Sequence, residues 1–151
     1  MKKIIPILLL LTMLTASLFG CETPVAISRT TPNPKTDFEY SVLEDGTIGI
    51  DKYTGTDTAV LIPDNIDNTN VTAIKSYAFF STSIKEVAIP ETVLIIDSSA
   101  FESCKYLEKV ILPEGLKTIN GMAFRRCESL SFIELPKGLE ALGCEAFREC
   151  K

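Results

Sequence analysis

The feature that most constrains the fold of this chain is a repeat of 22 or 23 residues in its second half. An Ala-Phe pair recurs four times, with spacings of 22, 23 and 23 residues. An apolar-Pro pair and a cysteine each recur three times, always 23 residues apart. The markers begin at Ala78, Ala100, Ala123 and Ala146; at Ile89, Leu112 and Leu135; and at Cys104, Cys127 and Cys150. Three markers that share one period predict a solenoid of stacked units.

One unit cannot enclose its own apolar residues, so neighbouring units must cover each other. Stacked strands lie about 4.8 Å apart, which lets the Leu, Ile and Phe positions of successive units form one continuous core. The proline of each unit ends its strand, because proline cannot donate to the hydrogen-bond ladder.

The segment 130–135, Leu-Ser-Phe-Ile-Glu-Leu, matches the Leu-x-x-Leu-x-Leu core of leucine-rich repeats. With its Ala-Phe, Cys and Pro markers, the region 38–151 resembles the bacterial BspA-like leucine-rich repeats, also called the Treponema pallidum type. The resemblance implies a right-handed repeat solenoid of about four 22–23-residue units over 64–151, the last one incomplete. Such a solenoid is mainly β, with short helical or irregular convex segments.

A β-hairpin cap is predicted before the repeats, within 38–63. Phe38, Tyr40 and Val42 alternate with polar residues, and Asp45-Gly46 is a strong turn signal. The alternation resumes at Ile48, and a further apolar strand over 59–62 stops at a proline.

The N-terminus has the pattern of a secretion leader. Lys2 and Lys3 precede a nearly continuous apolar stretch over 4–14, which is too short to span a bilayer comfortably. The sequence Leu-Phe-Gly-Cys at 18–21 resembles a bacterial lipobox, which implies removal of residues 1–20 and lipidation of Cys21. An uncleaved anchor and an ordinary secreted protein are the alternatives. The Thr- and Pro-rich segment 21–37 is predicted to be a flexible tether.

These features predict a lipid-anchored, extracytoplasmic protein of the cell envelope. Glu22, and not Asp, follows the lipidation site, which favours the outer membrane or cell surface. Removal of Lys2 and Lys3 from the 15 Lys and Arg leaves 13 against 20 Asp and Glu, a net charge of −7. This balance argues against nucleic acid as a partner.

No catalytic residue, cofactor or metal is predicted. The chain has no histidine, the usual general base, and it lacks a Gly-x-Ser-x-Gly motif and a glycine-rich phosphate loop. The oxygen-rich segment 64–70 lacks the ligand spacing of an EF-hand, so we expect a turn there.

The repeated cysteines predict a ladder of three side chains. We expect Cys104, Cys127 and Cys150 to fill small buried positions, with a disulfide between two neighbours as the alternative. Cys144 falls where the other units have Gly or Ser, so it is interpreted as another small position.

The repeat strands place two rows of residues on the side opposite the core. The rows are Ala59, Glu86, Lys109 and Phe132, and Leu61, Ala88, Ile111 and Glu134. Family resemblance implies that they form the concave face of a curved solenoid. Phe132 beside Ile111 is a candidate anchor for a partner, and an incidental mixed surface is the alternative.

We therefore expect a non-catalytic protein that binds a protein partner, and the resemblance extends this to adhesin-type contacts with a host. The chain ends at Lys151, within the fourth unit and without a polar cap. Solenoids normally need capped ends, so the alternatives are an assembly module that docks or self-associates through this end, and a fragment of a longer repeat protein.

Overall fold

The computed structural model of the protein describes residues 27–151, so the leader and Cys21 lie outside the described residues. Within residues 27–151, one turn of 3-10 helix, Lys35–Asp37, precedes ten strands. The strands are β1 Phe38–Val42, β2 Ile48–Tyr53, β3 Ala59–Leu61, β4 Asn65–Ile66, β5 Thr69–Ile74, β6 Glu86–Ala88, β7 Ile95–Ile96, β8 Lys109–Ile111, β9 Thr118–Ile119 and β10 Ala141–Leu142.

The strands form two sheets on the two sides of a solenoid. Sheet one has the order β1-β2-β5-β7-β9-β10, with β4 paired to β5, and sheet two has the order β3-β6-β8. Apart from the antiparallel pairs β1–β2 and β4–β5, every pairing among the described strands is parallel. The predicted fold class, a mainly β repeat solenoid of about four coils behind a β-hairpin, is confirmed.

A ladder of aromatic rings runs through the core. Tyr53, Phe79, Phe101, Phe124 and Phe147 stack with successive centroid distances of 5.3, 4.7, 5.1 and 5.4 Å. The alanine before each Phe is buried. Its carbonyl accepts from the preceding coil, as in the bond of 2.7 Å from the Phe79 N–H to the Ala100 carbonyl. The Ala-Phe repeat is therefore a packing and a hydrogen-bonding repeat at once.

In each repeat, the corner around the Ala-Phe pair contains two residues in the left-handed backbone region. One precedes the Ala-Phe pair and the other lies two residues after the Phe. The first set is Tyr77, Ser99, Met122 and Glu145, and the second is Ser81, Ser103, Arg126 and Glu149, all with φ between 56° and 63°. These residues reverse the chain without help from glycine.

The hairpin is the first coil of the solenoid. Its second strand, β2, pairs in parallel with β5, and β3 then begins sheet two. Tyr53, at the end of β2, provides the first ring of the aromatic ladder. The hairpin therefore shares one core with the repeats.

Residues 27–37 lie along the outer edge of β3. Ile27 is buried, and Asn33, only 2% exposed, exchanges two hydrogen bonds with the backbone of Leu61. The Asn33 N–H donates to the Leu61 carbonyl at 2.8 Å, and the Leu61 N–H donates to the Asn33 Oδ1 at 3.0 Å. Arg29 also pairs with Asp57. Residues 27–37 are thus held against β3, whereas the sequence predicted a flexible tether over the whole of 21–37. The physical reason is that the backbone groups of the edge strand β3 need hydrogen-bond partners.

Sheet two ends at β8. Sheet one continues into the fourth and fifth coils through β9 and β10, but residues 131–135, where the repeat predicts the next strand of sheet two, form no strand. The two sheets therefore end at different coils.

Candidate binding surface

The outward rows of sheet two are aligned as the repeat predicts. Ala59, Glu86 and Lys109 lie in register, as do Leu61, Ala88 and Ile111. The residues between these rows point into the core and are buried. They are Val60, Val87 and Val110.

The N-terminal end of the outward rows contacts the chain's own segment 27–37. The Glu86 carboxylate accepts the Ser28 N–H at 2.6 Å, and this hydrogen bond lowers the pKa of Glu86. Ala88 lies between larger residues and is 8% exposed. Within the outward rows, Lys109 and Ile111, on the edge strand β8, are partly exposed.

Phe132 and Glu134 lie in the unpaired segment 131–135. The Phe132 side chain is 72% exposed, the highest value among the exposed large apolar residues of the described chain. With Pro136, these residues line one side of a cleft of about 350 Å³, and β8 lines the other. The cleft therefore lies where a fourth strand of sheet two would otherwise continue the ladder.

The rim of this cleft is acidic. Among the described residues, four carboxylates and the ammonium group of Lys109 line it. The carboxylates belong to Glu91, Glu108, Glu114 and Glu134. None of the four forms a salt bridge within residues 27–151. With the apolar surfaces of Ile111 and Phe132, the rim suits a ligand that is both apolar and basic.

The repeated cysteines form a ladder of free thiols among the described residues. Each Sγ donates to the carbonyl of the Phe in the preceding coil, at 3.0 Å from Cys104 to Phe79 and 3.2 Å from Cys127 to Phe101. Burial raises the pKa of Cys104 to about 11. The pKa of Cys127 is raised, mainly by its hydrogen bond with Cys150 and secondly by burial. The same hydrogen bond lowers the pKa of Cys150 to about 7. The ladder fills space and satisfies backbone carbonyls.

The oxygen-rich segment 64–70 forms the tight hairpin of β4 and β5, which confirms the predicted turn. Its two central residues, Asp67 and Asn68, have φ of 49° and 64°, and Lys35 Nζ donates to the Asp67 carboxylate at 2.6 and 2.8 Å. In the part of the chain that the structure describes, no group of three or more Asp, Glu, Cys or His side chains could hold a metal ion. No helix there is both long and apolar enough to cross a membrane.

The fold and the aligned strands define a leucine-rich repeat protein. The model of the BspA type leucine-rich repeat region matches residues 35–151 with six copies, and the chain belongs to this family. Repeats of this kind commonly mediate protein interactions and generally act as non-catalytic scaffolds. The predicted family is therefore confirmed.

Three solved structures show the same architecture. The leucine-rich repeat protein of T. pallidum is 28% identical with a TM-score of 0.71, over 78% of this chain and 67% of that one. A Bacteroides capillosus leucine-rich repeat protein is 31% identical with a TM-score of 0.69, over 76% and 88%. A Bacteroides ovatus protein is 32% identical with a TM-score of 0.65, over 76% of this chain and 32% of that one. A comparison with curated proteins gives no match.

Proposed function

We propose that this protein is a non-catalytic, lipid-anchored component of the cell envelope that binds a protein partner through the outer face of sheet two and its adjoining cleft. The observation that carries the proposal is the position of Phe132, a largely exposed aromatic residue at an apolar cleft. Exposed aromatic residues beside pockets are favoured as anchors of protein interfaces.

The chemistry of the surface supports a protein ligand. The cleft joins apolar surface from Ile111 and Phe132 to several carboxylates, which is the mixture of apolar centre and polar rim found in protein interfaces. The repeat family supports the same class of function.

Photo-crosslinking tests this binding surface. With p-benzoylphenylalanine at position 132 on intact cells, we expect a crosslink to a partner. An excess of unmodified protein should suppress this crosslink, whereas an excess of Phe132→Ala protein should not. Tyr106, which is also aromatic and is 59% exposed but lies outside the cleft, is the control position. Equal crosslinking at 132 and 106, or none at 132, would contradict the proposal.

The envelope anchor is a proposal from the leader sequence. We expect Cys21→Ser to abolish incorporation of labelled palmitate and to release the chain from the membrane fraction, since stable anchoring depends on the acyl chains. Cys144→Ser, at an exposed cysteine, is the matched control. A Cys21→Ser protein that is cleaved and still membrane-bound would refute the anchor.

A second candidate function is assembly through the end of sheet one. Leu142 on β10 is 52% exposed, and Phe147, the last ring of the ladder, is only partly covered. If this face docks onto another copy, analytical ultracentrifugation should show an oligomer that Leu142→Asp dissociates. A wild-type monomer at high micromolar concentration would exclude self-association.

A further inference from the structure

We infer that the outer edge of β8 accepts an extended, basic segment of the partner as an added strand, in the place where the fourth coil lacks one. This inference rests on the proposed function and specifies its ligand. The argument begins with the backbone groups of β8.

The register shows which backbone groups of β8 are open. The Lys109 N–H donates to the Lys85 carbonyl at 3.1 Å and the Ile111 carbonyl accepts from the Ile89 N–H at 3.0 Å, so both residues face β6. In a parallel ladder, alternate residues direct their N–H and C=O to opposite neighbours. Val110 therefore directs both groups away from β6, and no strand of the described chain pairs with them.

The opposite edge of the same sheet is closed. There the backbone N–H and C=O of Leu61 point away from β6, as those of Val110 do on the other edge. Asn33 forms hydrogen bonds with both of these Leu61 groups. Edge strands are templates for added strands unless something covers them. The chain covers the β3 edge with 27–37 and leaves the β8 edge facing a cleft.

The side chains around the open edge specify the ligand. An added strand presents its side chains alternately to two sides. Apolar residues on one side of such a strand would contact Ile111 and Phe132, and Lys or Arg residues on its other side would meet the Glu108 carboxylate of the rim. The ligand is thus an extended segment in which apolar and basic residues alternate, bound by strand addition.

A second copy of this chain is a poorer occupant. Edge-to-edge pairing of two β8 strands would bring two acidic rims together, and like charges on facing strands are destabilising. A basic peptide would instead be attracted by the same negative charges. The cleft therefore favours a heterologous partner.

The probe is an end-capped octapeptide of alternating Val and Lys with a fluorescein label, added to the full chain in detergent. We expect saturable binding by fluorescence anisotropy, weaker at high salt, and none for the Val-Glu peptide. N-methylation of the backbone at one alternate set of positions should weaken binding about tenfold, because it removes strand hydrogen bonds, while methylation of the other set should not. Amide exchange at Val110 and Leu112 should slow on binding.

Four results would overturn strand addition. The first is binding that requires Phe132 but tolerates both methylation patterns and leaves exchange at Val110 fast, which would leave the proposed function intact. The second is slow exchange at Val110 in the free monomer, which would show that 131–135 closes the edge itself. The third is slow exchange together with dimerisation, which would identify a second copy as the occupant. The last is the absence of peptide binding. The proposed function fails separately, in the crosslinking experiment at position 132.

Discussion

The ring of Tyr53 stacks on the ring of Phe79 with centroids 5.3 Å apart and planes inclined by 16°. Tyr53 belongs to the hairpin and Phe79 to the first Ala-Phe pair. The Tyr53 N–H also donates to the Ala78 carbonyl at 2.8 Å, which is the same bond that Phe79, Phe101 and Phe124 make to the next coil. Tyr53 therefore acts as the Ala-Phe aromatic of the first coil, and the hairpin and the repeats should unfold together.

Replacement of Tyr53 tests this shared core. Because the residue is buried, we expect Tyr53→Leu to lower the free energy of unfolding by about 1–3 kcal/mol through lost packing. Tyr53→Phe keeps the ring and loses one bond from the hydroxyl to the Asp57 carbonyl, so it should cost about 1 kcal/mol or less. Urea denaturation followed by circular dichroism measures both. Two separate transitions in wild type would contradict a single core.

Gly143 is required by a close approach of two coils. A Cβ at this position would lie 2.2 Å from the backbone nitrogen of Gly121, so Gly143→Ala must push the last coil away. We expect a loss of about 1–3 kcal/mol in thermal or urea unfolding, typical of overpacking. At Gly138 the nearest atom to an added Cβ is 3.7 Å away, and Gly138→Ala should be nearly neutral. Equal effects of the two variants would refute this explanation.

Met122 has a left-handed backbone, with φ of 59°. Non-glycine residues adopt this region at a cost in free energy, which Met122→Gly would remove. Glycine also raises the entropy of the unfolded chain, which offsets part of this gain, so we expect a net stabilisation of about 0.5–1 kcal/mol. Met122→Ala, which removes the same side-chain atoms beyond Cβ but keeps the strain, should not stabilise. Calorimetry distinguishes the two, and greater stability of the alanine variant would contradict the prediction.

Glu102 and Arg125 form a pH-dependent link between neighbouring coils. Burial would raise the pKa of Glu102, but hydrogen bonds from Ser99 and Arg125 outweigh it, so the pKa is lowered. A lowered pKa in the folded state stabilises the protein above the ordinary pKa of Glu, and this stabilisation is lost as pH falls through the folded pKa.

Arg125→Met therefore leaves a buried carboxylate without its cation, whose Nε lies 2.9 Å from Glu102 in wild type. We expect a loss of about 1–3 kcal/mol at pH 7 that shrinks as the pH falls from 6 to 3. The control is Arg126→Met, whose ion pair with Glu149 is exposed and should contribute under about 1 kcal/mol. A difference from wild type that is constant with pH would contradict the role of Glu102.

The cysteine ladder predicts two classes of thiol. Cys144 is exposed and Cys150 half-buried with a pKa near 7, so both should react with iodoacetamide in the native protein. Cys104 and Cys127 are buried with raised pKa values and should react only in denaturant. Peptide mass mapping of the alkylated protein distinguishes the four sites. Fast native labelling of Cys104 would contradict the structure.

The features of the fold that recur in every unit could be predicted from the sequence. The Ala-Phe, Cys and Pro markers specified the solenoid, the buried Phe ring in each coil and the register of Glu86 on Lys109, because identical positions in stacked units must coincide. No repeat marker identifies Tyr53 as part of the ladder, since it has neither the preceding alanine nor the spacing of the other units.

Other features depend on neighbours that no pattern specifies. Ser99 and Met122 carry no sign of a left-handed backbone, for which Gly or Asn would be expected. The contact of Asn33 with Leu61 joins segments 28 residues apart and has no periodicity. The missing strand at 131–135 contradicts its own Leu-x-x-Leu-x-Leu pattern, and the sequence contains no signal for the cleft that results.

The bond from each Phe N–H to the next Ala carbonyl makes successive coils interchangeable. An in-frame duplication of one unit would present the same donors, acceptors and ring at both junctions, and would lengthen the body by about 4.8 Å without altering either end. Excision of a unit would shorten it by the same step. Recombination between repeats can therefore change the length of the repeat body in fixed increments, while the closed β3 edge and the β8 edge pass unchanged from one length variant to the next.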